Sequence, residues 1–396
     1  MSERIKQHKV YKFRMEPTAR QADELLRMAG TSRFVWNWAL ARCQAFYQAN
    51  KKGIPQSQLS AELTAFKHQQ PWLYDFDSQA LQQVLGDLQR AYENHFNPRM
   101  RAGFPKFKTK KNPKQSFRVP QRVMLKEGQV YVPKLGWVKV RQSQEIAGAT
   151  KSATFKRTAT GRWFVTLVAE FEIVKCLPKV KPEQVVGGDL GLSTFLTLSD
   201  GSEIAVPKFY RNYAKKLRRA QRIVSRREPG SRNRAQARLA VAKIHERISN
   251  LRSNFSHQLT HRLVQYPALC LENLSLIGLA KTKLAKSMLD AAFGEVVRQW
   301  KYKSVWHNVH ALQADRFFPS TQLCSACGYQ NQKLSLGDRE WVCPGCERKH
   351  RRDVNAALNL KAEGWQQLVA SGYVETLNGC GQDVSLATVS NLGRST

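Results

Sequence analysis

Apolar residues recur along this chain at two periods, and the switches between them divide it into segments. Residues 10–15 alternate as a short strand does. Pro17-Thr18-Ala19-Arg20-Gln21 then carries a helix-start signature, with Thr18 at the cap and Gln21 three residues later as in a capping box. Leu25, Met28, Phe34 and Trp38 follow at roughly helical spacing, so a helix is predicted as far as Asn50, before the breaker Gly53-Ile54-Pro55. Two more helices are predicted over 58–66 and 78–96, the second with Leu81, Val84, Leu85 and Leu88 as its apolar stripe.

Beyond Phe117 the texture becomes that of short strands with turns, over 130–132, 137–140, 152–157 and 163–170. This reads as a small β-domain, with a barrel as its candidate closure. One strand before the helical bundle and several after it imply that the bundle is inserted into the β-domain. Residues 177–182 read as a linker. Strands at 185–189 and 193–198 follow, then the tight-turn pair Asp200-Gly201 and a returning strand at 203–206. Residues 208–262 read as two long helices broken near Pro229-Gly230, with Leu239, Ile244, Ile248, Leu251, Phe255 and Leu259 on the apolar side. A short buried strand at 269–271 ends at Glu272. A helix over 287–306, a strand near 309–311 and a helix over 353–363 come next, and Gly372 opens a loose tail.

Charge adds a partner to this multidomain α+β picture. The 396 residues hold 64 Lys and Arg against 30 Asp and Glu, a formal charge of +34. So large an excess repels the compact state unless a polyanion neutralises it, and long phosphate polymers are the natural one. Residues 99–118 hold eight basic residues and no acid, interleaved with Phe104, Phe107 and Phe117. There Arg99, Arg101, Lys106, Lys108, Lys110 and Lys111 are candidates for phosphate contacts, with the rings stacking on bases. The plainer alternative makes the rings core and the lysines a solvated face. Residues 208–262 hold sixteen basic residues against Glu228 and Glu246, and offer Lys215, Arg218, Arg219, Arg222 and Arg226 for the same role. A membrane surface is the weaker reading, because no basic amphipathic helix dominates. No run approaches 18 apolar residues and residues 1–11 lack an apolar signal core, so neither a span nor a leader is expected.

Cys324-Ser-Ala-Cys327 and Cys343-Pro-Gly-Cys346 are two C-x2-C pairs with fifteen residues between them. Each pair forms a knuckle, and two knuckles close a tetrahedron of thiolates around Zn²⁺. The set is complete, which makes the site structural. A [4Fe–4S] cluster has the same ligand count but suits this spacing less well. His350 is not needed as a ligand. Cys43, Cys176, Cys270 and Cys380 lie apart and read as ordinary buried thiols of a reducing compartment. Three acids stand out by context: Asp189 at the end of Val185-Val186-Gly187-Gly188, Glu272 after Leu269-Cys270-Leu271, and Asp353 at a helix start. Singly, each is more often a cap or a surface residue. Together they have the makings of a pair of Mg²⁺ sites about 3.5–4 Å apart, as phosphodiester cleavage uses.

Gly188-Asp189-Leu190-Gly191, Leu271-Glu272-Asn273-Leu274, the cysteine ribbon and Arg352-Asp353-Val354-Asn355-Ala356-Ala357, in that order, resemble the OrfB/TnpB family of RNA-guided DNA endonucleases encoded by insertion sequences, relatives of type V CRISPR effectors. Lys286-Ser287-Met288, Gln299-Trp300-Lys301-Tyr302-Lys303 and Asp315-Arg316-Phe317-Phe318-Pro319-Ser320 fall in the matching order. The resemblance spans residues 8–370 and is strongest over 187–360. It implies an RNase H-like (RuvC-like) α/β nuclease domain at 184–319 and 348–370 with the four-cysteine zinc ribbon inserted at 320–347. It also implies a wedge-like N-terminal β-barrel at 1–16 and 97–180, carrying an inserted helical recognition domain at 17–96, and a flexible tail at 371–396. Asp189, Glu272 and Asp353 match the catalytic triad and would hold Mg²⁺ or Mn²⁺. Cys324, Cys327, Cys343 and Cys346 would hold structural Zn²⁺. The implied partners are a guide RNA and a double-stranded DNA target with its separated strands, without a small-molecule cofactor. The setting is the cytoplasm of a prokaryote, at the nucleoid. Cleavage would fall beside a short flanking motif. A binding regulator without cleavage is the rival from another class, and the intact triad speaks against it; a compact type V CRISPR effector nuclease is the other alternative, and the length fits the transposon-encoded form better. A plain basic zinc-ribbon factor leaves the three acids unexplained.

Overall fold

The structure, a computed structural model, describes residues 3–100, 102–274, 290–335 and 337–375. Arg101, Cys380, the Lys286-Ser287-Met288 motif, the expected helix start at Ser287 and the tail from 376 onward lie outside the described residues. The chain divides into two compact units, Met1–Lys175 with Tyr210–Leu251, and Cys176–Phe209 with Arg252–Thr396.

In the first unit, β1 (Glu3–Met15) runs antiparallel to β7 (Trp163–Lys175), with Tyr11 opposite Leu167 and Phe13 opposite Val165. Periodicity shows only the second half of β1. The first half alternates polar residues and is held by its backbone ladder, with Glu170 receiving Lys6 at 3.7 Å, His8 at 3.5 Å and Lys151 at 3.2 Å. Around this pair lie β2 (Gln115–Val119), β3 (Leu125–Lys126), β4 (Gln129–Val132), β5 (Gly136–Arg141) and β6 (Ala149–Arg157), in the order β2-β6-β7-β1-β5-β4-β3.

That order corrects the barrel expectation. β2 and β3 are the two edges and do not pair, so the seven-stranded sheet stays open. Closure needs matched tilt and register around the whole ring, and a two-residue edge strand cannot supply it. The helices remove the need for closure. α1 (Ala19–Asn50) and α3 (Ser78–Phe96) pack on β2, and one core joins Tyr11, Phe13, Phe117 and Val165 of the sheet to Leu25, Leu40, Leu81 and Leu85 of the helices.

The start of α1 is the predicted capping box: Thr18 Oγ1 accepts from the Gln21 amide and Gln21 Oε1 accepts from the Thr18 amide. Its buried face runs through Leu25, Met28, Ser32, Val35, Trp36 and Ala39 and leaves Phe34 outside, which shifts the expected stripe. α2 (Gln56–Gln69) lies against α3, whose cap is Asp77. α4 (Phe209–Arg226) and α5 (Arg232–Leu263) are separated at Pro229-Gly230, where Gly230 takes a positive φ.

The second unit is built on a five-stranded sheet of order β10-β9-β8-β11-β12: β8 (Val185–Leu190), β9 (Thr194–Leu198), β10 (Glu203–Ala205), β11 (Ala268–Leu271) and β12 (His310–Gln313). β8, β11 and β12 are parallel, while β9 runs antiparallel to both of its neighbours, β8 and β10. Such a mixed sheet is consistent with a RuvC-like nuclease. All six residues of β8 are buried, as expected of a central strand covered on both faces. The helix Phe293–His307 packs Phe293, Val296 and Trp300 against Phe195 on one side. The helix Arg352–Ala370 packs Leu360 and Leu368 on the other. β13 (Glu340–Val342) and β14 (Lys349–Arg351) form the small ribbon. The expected linker contains buried Val180, which bridges to Val374, so ordered pairing continues past Gly372. Among the described residues no helix is long and apolar enough to cross a membrane.

Candidate active site and metal centre

The parallel register of β8 and β11 sets Gly188 beside Leu271. Asp189, the next residue on β8, and Glu272, the residue just past β11, therefore emerge together at one end of the sheet. Asp189 is 8% exposed and Glu272 is half-buried. The two carboxyls are close enough for each to perturb the other. Burial, then the charges of Glu272 and Asp353, push the Asp189 pKa up to about 7 against the pull of Arg352. Burial also raises Glu272. Crowded carboxyls of this kind titrate as a coupled set, and a divalent cation is the natural competitor for their protons.

Asp353 reaches this end from the helix Arg352–Ala370. The N-cap position is Arg351, so Asp353 lies in the first turn and is not the cap. Two glycines allow the helix its close approach. A Cβ on Gly187 would fall 2.0 Å from the Ala357 carbonyl oxygen, and one on Gly364 would fall 2.7 Å from the Cys270 Cβ. Arg339 pairs with Asp353 at 3.8 Å, a partner the sequence reading missed because nothing in its neighbourhood marks it.

The four cysteines also converge. Their Sγ atoms lie within 4.8 Å of one another, with Cys324 to Cys346 and Cys327 to Cys343 both at 3.6 Å. A tetrahedron with Zn–S of 2.3 Å has edges of about 3.8 Å, so four thiolates here fit that ion. Burial raises the Cys324 thiol and the backbone amides of Cys327 and Ala326 bring it down to about 6, while the crowded neighbours Cys327 and Cys346 are raised. His350, on β14 and tilted against the Trp341 ring, places Nε2 3.1 Å from Cys324 Sγ. It is a neighbour of the ligand set, as the complete thiolate count implies. Of the other thiols, Cys270 is buried and burial lifts its pKa to about 12, Cys43 is partly buried, and Cys176 is exposed, against expectation.

Arg99, Lys106, Lys110 and Lys111 are exposed, and so are Lys215, Arg218, Arg219, Arg222 and Arg226 along α4. Lys108 is also on the surface, but its Nζ sits 3.5 Å over the Trp36 ring. The segment is pinned along α1 by Trp36 Nε1 donating to the Lys106 carbonyl at 3.0 Å and by Asn37, which bonds both backbone groups of Lys108. Phe104 and Phe107 are exposed, whereas Phe117 is core, stacked on Phe155 at 5.0 Å.

Residues 165–282 match the family described as "Probable transposase" of OrfB type, and residues 293–360 match a Cas12f1-like TNB domain. A protein of Streptomyces pristinaespiralis is 37% identical over 365 residues, covering 90% of this chain and 89% of its own. This chain belongs to the OrfB/TnpB family. InsQ of Escherichia coli is 32% identical over 393 residues, covering 94% of this chain and 96% of its own. Both relatives carry the name RNA-guided DNA endonuclease. Residues 6–52 match a helix-turn-helix family, yet they fold here as β1 followed by the single helix α1. Among solved structures, a Cas12f1 in complex with sgRNA and target DNA aligns with a TM-score of 0.55 at 12% identity, over 90% of this chain and 99% of its own. That match shows a shared fold.

Proposed function

We propose that this chain is an RNA-guided, metal-dependent DNA endonuclease of an insertion sequence. Asp189, Glu272 and Asp353 form its catalytic site. The observation that carries the reading is the parallel register of β8 and β11, which sets Asp189 and Glu272 side by side at one sheet end with Asp353 close enough to act on Asp189, in a chain 37% identical to a protein named for this activity. The three carboxylates would hold Mg²⁺ or Mn²⁺, which supplies an activated water and stabilises the leaving oxygen in phosphodiester hydrolysis. The protein's share is orientation. β8 and β11 bring two carboxylates to one level and the helix Arg352–Ala370 brings the third. The four cysteines would hold structural Zn²⁺.

Guide RNA and target DNA would neutralise the +34 charge. Arg99, Lys106, Lys110 and Lys111, with Lys215, Arg218, Arg219, Arg222 and Arg226, are assigned to phosphate contacts. Residues 184–319 and 348–370 are assigned to the nuclease domain, 320–347 to the ribbon, and the N-terminal sheet with its helices to reading the flanking motif. The working compartment is assigned as the cytoplasm of a prokaryote, at the nucleoid. The test is guided cleavage of a matched plasmid beside gel-shift binding of the same target. Asp189→Ala should lower cleavage by at least about 10³-fold and leave guide and target binding in place. Cleavage by Asp189→Ala near the wild-type rate would overturn the site. Tight target binding by the wild type without cleavage under any divalent ion would make the protein a binding regulator.

A further inference from the structure

The first turn of the helix Arg352–Ala370 carries Asp353, and no side chain caps it. A helix end normally needs partners for its free amides. Here the tethers come from the cysteine ribbon. The Arg352 amide donates to the Arg339 carbonyl at 2.8 Å, and Arg352 Nη1 donates to the Ser335 carbonyl at 2.9 Å. β14 runs into the helix with no residue between them.

The first knuckle is held more tightly still, by two buried asparagines one helical turn apart. Asn355 Nδ2 donates to the Leu323 carbonyl at 2.6 Å, and its Oδ1 accepts from the Ser325 amide at 2.9 Å. One amide group therefore grips the backbone on both sides of the ligand Cys324. Asn359 Nδ2 donates to the carbonyls of Ser320 and Leu323, both at 2.7 Å. Asn355 is 1% exposed and Asn359 is 7% exposed. Buried amides bonded to backbone in this way are costly to disturb and favour one arrangement. Elsewhere on the same helix, the backbone of Ala357 and Lys361 packs on Gly187, two residues before Asp189. The sheet fixes how close the helix lies, while the asparagines fix its first turn to the ribbon.

We infer that Asn355 and Asn359 are positioning residues that link the four-cysteine site to the carboxylate site, so that the closed ribbon sets where Asp353 meets Asp189 and Glu272. The ribbon then acts as a clamp on the divalent-ion site, beyond its part in stability. This inference rests on the proposed carboxylate site. Its test therefore reads ion binding directly, without requiring cleavage.

The experiment titrates Mn²⁺ into the full-length protein with its zinc in place and follows bound Mn²⁺ by electron paramagnetic resonance. Zinc content and the melting curve of each variant are recorded alongside. Asn355→Ala should keep one zinc per chain and weaken Mn²⁺ binding by about 10- to 100-fold, the usual effect of losing a group that orients a ligand. Asn359→Ala removes the donors to Ser320 and Leu323 and leaves the Asn355 grip in place. It should fall between wild type and Asn355→Ala, and it serves if that variant does not fold. A role confined to stability would lower the melting temperature and leave the Mn²⁺ midpoint of the folded fraction unchanged. An unchanged midpoint in both variants, with wild-type Mn²⁺ binding intact, overturns the link. Absence of Mn²⁺ binding in the wild type removes the carboxylate site itself, and the link falls with it.

Discussion

Replacing Gly187 by alanine would put a methyl carbon 2.0 Å from the Ala357 carbonyl oxygen, 2.3 Å from the Lys361 amide nitrogen and 2.9 Å from the Leu360 carbonyl carbon. All three are backbone atoms of one helix, so no side chain can swing aside. Ordinary contact begins near 3.4 Å, and in a close-packed interior the helix must retreat by about 1.4 Å. Overpacking of this kind costs about 1–3 kcal/mol. The same retreat carries Asp353 away from Asp189 and Glu272, and a displacement of roughly 1 Å at a reacting centre costs on the order of 10²-fold in rate. Gly188→Ala is the control. Its methyl would meet Leu271 Cδ2 at 2.6 Å, Leu196 Cδ1 at 3.0 Å and Leu198 Cδ2 at 3.2 Å, the far ends of side chains that can rotate. Thermal melts and guided cleavage of both variants, assayed together, decide the matter. Gly187→Ala should be the more damaged in both readouts. Equal loss in the two variants, or cleavage by Gly187→Ala within about twofold of wild type, would refute the view that this contact sets the site.

A second expectation concerns pH. The folded protein raises Asp189 to about 7 from an unfolded value near 3.9. The folded state thus binds the proton more tightly, so this stabilising contribution is complete below about pH 4 and is lost as pH rises toward about 7. Metal-free protein should lose up to about 4 kcal/mol across that window. Melting points should fall from pH 5 to pH 8, and the fall should shrink in Asp189→Asn or on adding Mn²⁺; a flat profile in metal-free wild type would contradict it. A third expectation concerns zinc. Elemental analysis should find about one zinc per chain, and Cys343→Ser, which removes a fully buried sulfur, should lose most of it and loosen the ribbon. Iron in place of zinc would contradict the assignment.

The chain's own order of residues determined the local features. The Thr18–Gln21 box, the bounds of α3, the break between α4 and α5 and both cysteine knuckles follow from interactions that span a turn or two, and such signals lie side by side in the sequence. The family likewise showed in short motifs around Asp189, Glu272, the ribbon and Asp353. Other features depended on residues far apart in the chain. The open sheet replaced the expected barrel because the two edges, β2 and β3, do not meet, and because the helices share the sheet's core. Phe117 became core where its basic surroundings suggested a stacking platform, since burial depends on what lies opposite: Phe155 and Phe76. The role of Gly187 is invisible until Ala357 arrives against it, and Asn355 is only a polar residue in a helix until Leu323 and Ser325 accept and donate across from it. Local hydrogen bonding and ligand spacing are written in neighbouring residues, whereas close approach, edge pairing and the pKa of Asp189 arise only when distant segments pack.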